Sequence, residues 1–488
     1  MPWEQLAEAA PDLILSASEN IDVPEGDCPV LVLPHGVGFQ KLVPDSRGPH
    51  ERLSGVVPDS LLESGRAWMA VSHPSQEEQL LATHPKAAGH TLLVGDPCLD
   101  ELLSSGPMRP AYREALGVRE DQKLVMVSST WGPTSLLGTQ PDLPARLLAQ
   151  FSYDEYKVGA IVHPNVWSAH GSWQLRTLQA AALDAGLLLM PAVHAWRPAL
   201  VAADVLVGDH GSVSLYGASL GTPVLLAAFG ADAVPGTAVH AMADLAPRLN
   251  PRGDLHEQIE AAVREHTPER YAPVVARAFA EPGGALARLR TALYRLLRLP
   301  EPATEPPQPL AVPLPSVPPT AQVTSWRVTT EVGEDGGGPT VAVRRFPAVV
   351  AGYGGEAPDG PTVFSHLACT DDERDGRVAA SASVIVRCRT DRTTAGALRW
   401  VQDTLARLPG SLLAVSDVQG QACLSGLRDG RIVEATATGG ARDPGVLASV
   451  VYAALRAGLP MDGSSVTVQT GDLREEDVVL RLRPGGSQ

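Results

Sequence analysis

The chain has 488 residues, more than one hydrophobic core usually serves, so its length predicts two to four domains. Hydrophobic residues make up 44% and charged residues 19%, which excludes a wholly disordered chain. The net charge of -16 disfavours nucleic acid and anionic lipid as partners, because both bind clustered lysine and arginine.

The cysteines and the N-terminus bear on localisation. Five cysteines lie singly, without a C-x-x-C pair, which is typical of reduced cytosolic thiols. The first residues lack the basic and apolar segments of a secretion signal, and no run of 18 apolar residues is free of charge and proline. We therefore expect a cytoplasmic protein whose contact with a membrane is at most peripheral.

Short apolar runs alternate with helical patterns before residue 300, a rhythm that predicts parallel strands joined by helices. Four early runs predict a small sheet, at 12–15, 30–33, 68–71 and 91–94. Five later runs predict a complete doubly wound half, at 124–127, 158–162, 187–190, 204–207 and 223–226. Leucines over 286–297 recur at helical spacing and favour packing in a core over binding to a membrane.

A proline-rich segment divides the chain. Nine of the twenty residues from Pro300 to Pro319 are proline, which predicts a semi-extended linker. Beyond it, strands at 340–343, 382–386 and 477–480 and helices at 394–408 and 444–457 predict a small α+β domain of unassigned role. The acidic run 371–375 lacks the glycine and spacing of a calcium loop and predicts a solvated turn. The predicted domains are 1–118, 119–299 and 323–488, with the linker at 300–322.

The main candidate site is the segment Gly208-Asp209-His210-Gly211-Ser212, directly after a predicted strand. A glycine turn followed by Ser212 at a helix cap would bring backbone N–H groups and a hydroxyl to one point, which is an anion site. Asp209 and His210 place polar side chains at the carboxyl end of the strand, where open α/β sheets bind ligands. A structural turn with a cap is the alternative interpretation.

Two other histidines also follow predicted strands. His35 and Gly36 precede Lys41, so an imidazole that takes a proton near neutral pH lies close in sequence to a lysine that suits phosphate. A structural histidine is the alternative at His35. At His163 the following Pro164 disfavours helix and holds the loop open.

The loop that contains Thr130 and Trp131 follows the first strand of the second half. Its threonine offers a hydroxyl to phosphate, and its tryptophan either covers a cleft or packs between domains. A tryptophan beside a phosphate site would exclude water from it. The sequence leaves both interpretations of Trp131 open.

Taken in order, these motifs resemble the CDP-glycerol glycerophosphotransferase family, the teichoic-acid polymerases and primases, over residues 12–235. The resemblance implies the GT-B fold of two facing Rossmann-like domains. The first is expected to be reduced, because only about 120 residues precede the second. It also implies that His35 is the general base on an acceptor hydroxyl and that His163 neutralises the donor pyrophosphate.

Other positions match the binding motifs of that family, and we expect them to contact the donor: Gly36, Lys41, Thr130, Trp131, Asp209 and Ser212. His210 and Gly211 replace a tyrosine and a serine of the family motif, which removes a phenol and a hydroxyl from the expected nucleotide site. Gly132 stands where the family often has arginine, which removes a cation.

The resemblance implies transfer of a glycerophosphate, polyol-phosphate or sugar group from a nucleotide-activated donor such as CDP-glycerol to a hydroxyl acceptor, in bacterial cell-envelope polymer biosynthesis. This scheme requires no metal and no other cofactor. Two alternatives stay open. A nucleotide-sugar glycosyltransferase or 2-epimerase shares the architecture of the second half, and a catalytically degenerate GT-B module would bind only a nucleotide or a protein partner.

Overall fold

A computed structural model describes residues 10–19, 23, 25–44, 51–317, 320–355, 360–439, 443–471 and 474–483. The prediction about a secretion signal concerns the first residues and lies outside these ranges. Within them, no helix combines the length and the apolar character needed to cross a bilayer.

Two parallel sheets form the first part of the chain. In chain order its strands are β1 (Ile14–Ser16), β2 (Val30–Val32), β3 (Leu42–Pro44), β4 (Glu51–Leu53), β5 (Ala67–Val71), β6 (Thr91–Leu93), β7 (Lys123–Ser129), β8 (Tyr156–Val162), β9 (Leu188–Leu189), β10 (Val205–Gly208) and β11 (Val224–Leu226). The sheets have the orders β1-β2-β5-β6 and β11-β10-β7-β8-β9, and β3 and β4 form a separate antiparallel pair. Each of the nine predicted runs therefore overlaps a strand.

Fourteen helices accompany these strands in the described part of the chain. They are α1 (Asp59–Glu63), α2 (Pro74–Thr83), α3 (Pro97–Ser104), α4 (Arg109–Ala115), α5 (Leu136–Thr139), α6 (Leu143–Gln150), α7 (Pro164–Leu178), α8 (Ala180–Asp184), α9 (Trp196–Ala202), α10 (Ser212–Ser219), α11 (Ala238–Leu245), α12 (Leu255–Arg264), α13 (Ala272–Ala278) and α14 (Ala285–Leu297). Proline in the first turn of several of them, as at Pro164, suits a position whose N–H needs no partner. Gly171 has a φ of 75° and breaks α7.

The second sheet is buried on both faces, as parallel sheets usually are. In β7, Leu124 and Met126 belong to one core, whereas Val125 and Val127 belong to the opposite one. This explains why the strand reads as a continuous apolar run rather than an alternating one. The predicted pair of Rossmann-like sheets is confirmed.

Helix α14 returns to the first sheet. Its leucines Leu289, Leu293 and Leu296 pack with Leu31 and Trp68 in one cluster. The expectation that this leucine stripe packs in a core is confirmed.

The linker contains neither helix nor strand at 300–317 and 320–322, as its prolines predict. It nevertheless packs on the preceding part of the chain. The N–H of Val312 donates to Ser105 Oγ at 2.9 Å, and its carbonyl accepts from Tyr112 Oη at 2.5 Å. These bonds make the segment an extended strap along a surface rather than a free tether.

The last part of the chain is a closed barrel. Its strands are β12 (Ser325–Asp335), β13 (Gly338–Pro347), β14 (Val363–Thr370), β15 (Val384–Val386), β16 (Leu413–Asp417), β17 (Cys423–Leu427), β18 (Ile432–Ala437), β19 (Ser464–Thr470) and β20 (Arg474–Leu482). Three α-helices accompany them in the described residues, α15 (Gly376–Ser381), α16 (Thr394–Arg407) and α17 (Pro444–Ala457). Every residue of α17 from Val446 to Ala454 is buried, and these residues share a core with the barrel strands. The predicted α+β content is confirmed, whereas the closure of the sheet was not predicted.

A buried ion cluster attaches the barrel to the second sheet. Arg345 Nη2 lies 2.6 Å from Asp154 Oδ1 and 2.5 Å from Asp443 Oδ2, and Arg345 and Asp154 are both almost fully buried. Asp154 precedes β8, and Asp443 caps α17 by accepting from two of its backbone N–H groups. Val350 extends the contact by joining the core on that side of the second sheet. The barrel is thus packed firmly against the unit that contains the candidate site.

Candidate active site

Side chains from both sheets meet where β2, β7 and β8 end. The rings of His35 and His163 have centroids 6.2 Å apart, and that of Trp131 lies 6.5 Å from that of His163. Lys41 Nζ donates to the carbonyl of Trp131 at 2.7 Å and lies 4.9 Å from the centre of its ring. Four residues from three sequence motifs therefore converge at one edge.

His35 has the hydrogen bonding that a general base requires. Its Nδ1 lies 3.2 Å from the carbonyl oxygen of Ala17. Because a carbonyl only accepts, Nδ1 carries the proton of the neutral ring and Nε2 keeps a lone pair. The residue is exposed, so an acceptor hydroxyl can approach that lone pair.

His163 is held in the opposite tautomer. It caps α7, and its Nδ1 accepts from the N–H of Asn165 at 3.1 Å, so Nε2 carries the proton of the neutral ring. Burial, together with the nearby His35 and Lys41, lowers the pKa of His163 to about 4. At neutral pH His163 is therefore an uncharged hydrogen-bond donor. The family resemblance implies that His163 neutralises charge. A neutral ring instead donates a hydrogen bond from Nε2, unless a bound anion raises the pKa of His163.

The pKa of His163 is open to direct measurement. We expect its imidazole to titrate below pH 5 in the free protein, and to shift upward when pyrophosphate is added, because a neighbouring anion favours the charged ring. The binding of pyrophosphate should therefore take up protons and strengthen as the pH falls from 6.5 to 5. Histidine ring signals in NMR spectra, assigned with His163→Ala, report the pKa. A pKa that stays near the usual value of about 6.5 in the free protein would contradict the assignment.

Folding stability should follow the same pKa. A depressed folded-state pKa means that the unfolded chain binds a proton before the folded chain does. The contribution of neutral His163 to stability is therefore complete above the unfolded value near pH 6.5 and is lost as the pH falls from there toward 4.

The predicted anion turn differs from expectation at Ser212. Helix α10 begins at Ser212, and its capping position is Gly211, which has no side chain to accept a backbone N–H. Ser212 Oγ instead accepts from the N–H of Val37 at 3.1 Å, across the gap between the sheets. The prediction of Ser212 as the helix cap is wrong by one position, because the chain bends into the helix at the preceding glycine.

Asp209 organises the loops around the turn. Its carboxylate is almost fully buried and accepts from the N–H groups of Thr130 and Leu136, both at 2.9 Å, and of Gly211 at 3.0 Å. Burial raises its pKa, and these three donors oppose that rise. Both carboxylate oxygens thus bind backbone donors. Asp209 shapes the edge by joining the loop after β7 to the turn after β10.

The buried His210 pairs with the half-buried Asp232. His210 Nδ1 accepts from the N–H of Gly230 at 3.1 Å, and its Nε2 lies 3.2 Å from the Asp232 carboxylate. Asp232 also accepts from Thr134 Oγ1 at 2.9 Å and lies 3.3 Å from Lys41 Nζ. Burial acts to raise the pKa of Asp232, but the neighbouring His210 and Lys41 and the hydrogen bond from Thr134 outweigh it and lower the pKa.

Asp232 was not predicted from the sequence as a site residue. Its position three residues after the apolar run 223–229 was an available signal. The remaining predicted positions lie close to the same edge. Thr130 is buried against Gly211, and Gly36 lies against Ser212.

No protein-family model and no curated protein matches the chain. Among solved structures, a variant of the wall teichoic acid polymerase TagF has 16% identity and a TM-score of 0.43, covering 59% of this chain and 73% of that one. The UDP-GlcNAc 2-epimerase from Neisseria meningitidis, solved with UDP-GlcNAc, has 14% identity and a TM-score of 0.38, covering 61% and 79%. The S. aureus MnaA–UDP structure has 14% identity and a TM-score of 0.36, covering 62% and 81%. Likenesses this weak leave the family unassigned, and the GT-B-like arrangement is visible in the two facing sheets of the chain itself.

Proposed function

We propose that the two facing sheets bind a nucleotide-activated donor and transfer its glycerophosphate, polyol-phosphate or sugar group to a hydroxyl. The observation that supports this best is the opposite tautomers of two histidines with centroids 6.2 Å apart. His35 has a lone pair for an acceptor hydroxyl, and His163 has an N–H for a phosphate oxygen. Transfer to an alcohol needs one group of each kind on opposite sides of the reacting phosphorus or carbon.

The other residues at this edge have supporting roles in the proposal. Lys41 supplies a positive charge near the donor phosphates, and Trp131 shields them from water. Ser212 offers its hydroxyl at the start of α10, where the helix dipole favours an anion. Asp209 fixes the positions of the loops that contain Trp131 and Ser212 relative to each other.

The motif resemblance favours CDP-glycerol as the donor, and this is the substrate to test first. Isothermal titration with CDP, UDP and GDP at matched salt tests the donor class, and we expect one of the three to bind. His163→Ala should weaken that binding by roughly tenfold through the loss of one hydrogen bond to a charged phosphate. Absence of binding to all three nucleotides would refute the proposal.

A second candidate, a nucleotide-binding module without catalysis, has one specific observation in its favour. Both ring nitrogens of His210 bind protein groups, and Gly211 has no hydroxyl, so neither residue replaces the donors of the family motif. A nucleotide that binds without turnover of CDP-glycerol or of a nucleotide sugar would favour this candidate.

A further inference from the structure

The loop after β2 lies across the proposed phosphate site. We define residues 36–42 as the closing loop. A Cβ atom added at Gly36 would lie 2.7 Å from Ser212 Oγ, and the N–H of Val37 donates to that hydroxyl at 3.1 Å. The backbone of the closing loop therefore occupies the space directly in front of this hydroxyl at the start of α10.

The closing loop also contains Lys41, the cation that a diphosphate would need. Lys41 Nζ lies 3.3 Å from the Asp232 carboxylate, so its charge already has a counter-ion inside the protein. The N–H of Leu42 donates to the Asp232 carbonyl at 2.8 Å. The hydroxyl and the cation of the proposed site are thus both engaged by contacts between the two sheets.

A short antiparallel contact fastens the loop to the second half. Lys41 pairs with Ala233, and the N–H of Val234 donates to the carbonyl of Gln40 at 3.0 Å. Gln40 is buried, and its Oε1 accepts from the N–H of Val239 at 2.8 Å. These bonds all lie along one short segment of the chain.

The backbone of the closing loop is conformationally strained. Phe39, a buried non-glycine residue, has a φ of 62°. A non-glycine residue rarely adopts this region of φ and persists there only where its surroundings enforce it. Strain in a loop over a binding site lowers the free energy needed to move that loop away.

We propose that residues 36–42 form an autoinhibitory lid that must move off Ser212 and release Lys41 before a diphosphate binds. This inference rests on the proposed function, since it concerns the same site. Closure and binding exclude each other, so the apparent dissociation constant equals the intrinsic one divided by the open fraction. Asp232 acts in the closed state as an internal substitute for the phosphate anion.

A reversible disulfide tests the lid. Residues 40 and 234 lie opposite each other beside the Lys41–Ala233 pair, and the Cα spacing of such cross-strand pairs, about 5.5 Å, suits a disulfide. The double variant Gln40→Cys, Val234→Cys is made with Cys388→Ser, which removes an exposed native thiol. Binding of CDP and of inorganic pyrophosphate is measured by titration calorimetry in the oxidised and the reduced protein. The parent with Cys388→Ser alone is the redox control.

We expect the oxidised protein to bind both probes at least tenfold more weakly than the reduced one, and the control to be indifferent to oxidation. Equal affinity in the oxidised and reduced states overturns the lid and leaves the proposed function standing. Pyrophosphate that binds only the reduced protein, with no binding of any nucleotide, supports the lid and refutes the proposed function. If neither the control nor the double variant in either redox state binds CDP or pyrophosphate, both the lid and the proposed function are overturned.

A second variant opens the lid without a crosslink. Gln40→Ala removes the bond to the N–H of Val239, and we expect it to bind pyrophosphate about threefold or more tightly than the wild type. Weaker binding by this variant, with an unchanged melting temperature, would count against the lid.

Discussion

Replacement of His35 by alanine is expected to lower the turnover of the donor by about 10²- to 10⁴-fold, the usual contribution of a general base. The variant should bind nucleotide as the wild type does, because the imidazole faces the acceptor and its Nδ1 is bonded to Ala17 of its own half. Steady-state kinetics with CDP-glycerol and titration with CDP separate the two effects: kcat falls while the CDP affinity stays constant.

His170→Ala is the matched control for this substitution. His170 is an exposed histidine on α7, the helix that begins at Pro164 next to His163, and it has no assigned role in the proposal. Turnover should remain within about twofold of the wild type, the order expected where no reacting group is removed. An equal loss in His35→Ala and His170→Ala would remove His35 from the mechanism.

Replacement of Arg345 by methionine should lower the free energy of unfolding by about 3–5 kcal/mol, which is typical when one partner of a buried ion pair is removed. The substitution leaves the Asp154 carboxylate without its bidentate partner in a nearly water-free setting. It also removes the counter-ion of Asp443 at the start of α17. Urea unfolding followed by circular dichroism measures the loss.

Arg377→Met is the matched control for Arg345→Met. Arg377 pairs with Asp375 at 2.8 Å, a distance close to that of the buried pair, but its side chain is 92% exposed. Exposed pairs contribute about 0–1 kcal/mol, so this variant should unfold nearly as the wild type does. A similar small change in both variants would mean that the barrel is not held by its ion cluster.

The sheets could be predicted from sequence because their signal is local. A buried parallel strand such as β7 must be apolar on both faces, so its residues form a continuous run that is visible without knowledge of its neighbours. The ends of such strands also identify positions for ligands, which is why His35 and His163 were found. Their convergence depends on how two sheets face each other, and no local pattern reports that.

The roles of polar residues in the turn were harder to predict. Asp209 looked like a ligand-binding carboxylate, yet its donors are backbone N–H groups of Thr130 and Leu136, more than 70 positions away in the chain. Ser212 looked like a cap, and its hydroxyl binds the N–H of Val37 instead, 175 positions away. Partners this distant in sequence cannot be read from the motif that contains the residue.

The closure of the barrel could not be predicted from the sequence for the same reason. Strands β12 and β14 pair antiparallel over Ser325–Glu331 and Val363–Cys369, and this pairing closes the sheet. The pattern of residues predicts that such strands exist but says nothing about which edges join. Arg345 was likewise unremarkable in sequence, because its burial depends on docking between units that are separated by the linker.

A crystal structure of the protein with CDP, refined with the nucleotide at full occupancy, tests the central claim most directly. We expect the diphosphate oxygens to lie within hydrogen-bond distance of His163 Nε2 and Ser212 Oγ, with Lys41 released from Asp232. The base should lie on the side of the second sheet. A nucleotide bound elsewhere on the chain, with His35 and His163 in their present contacts, would contradict the proposed site.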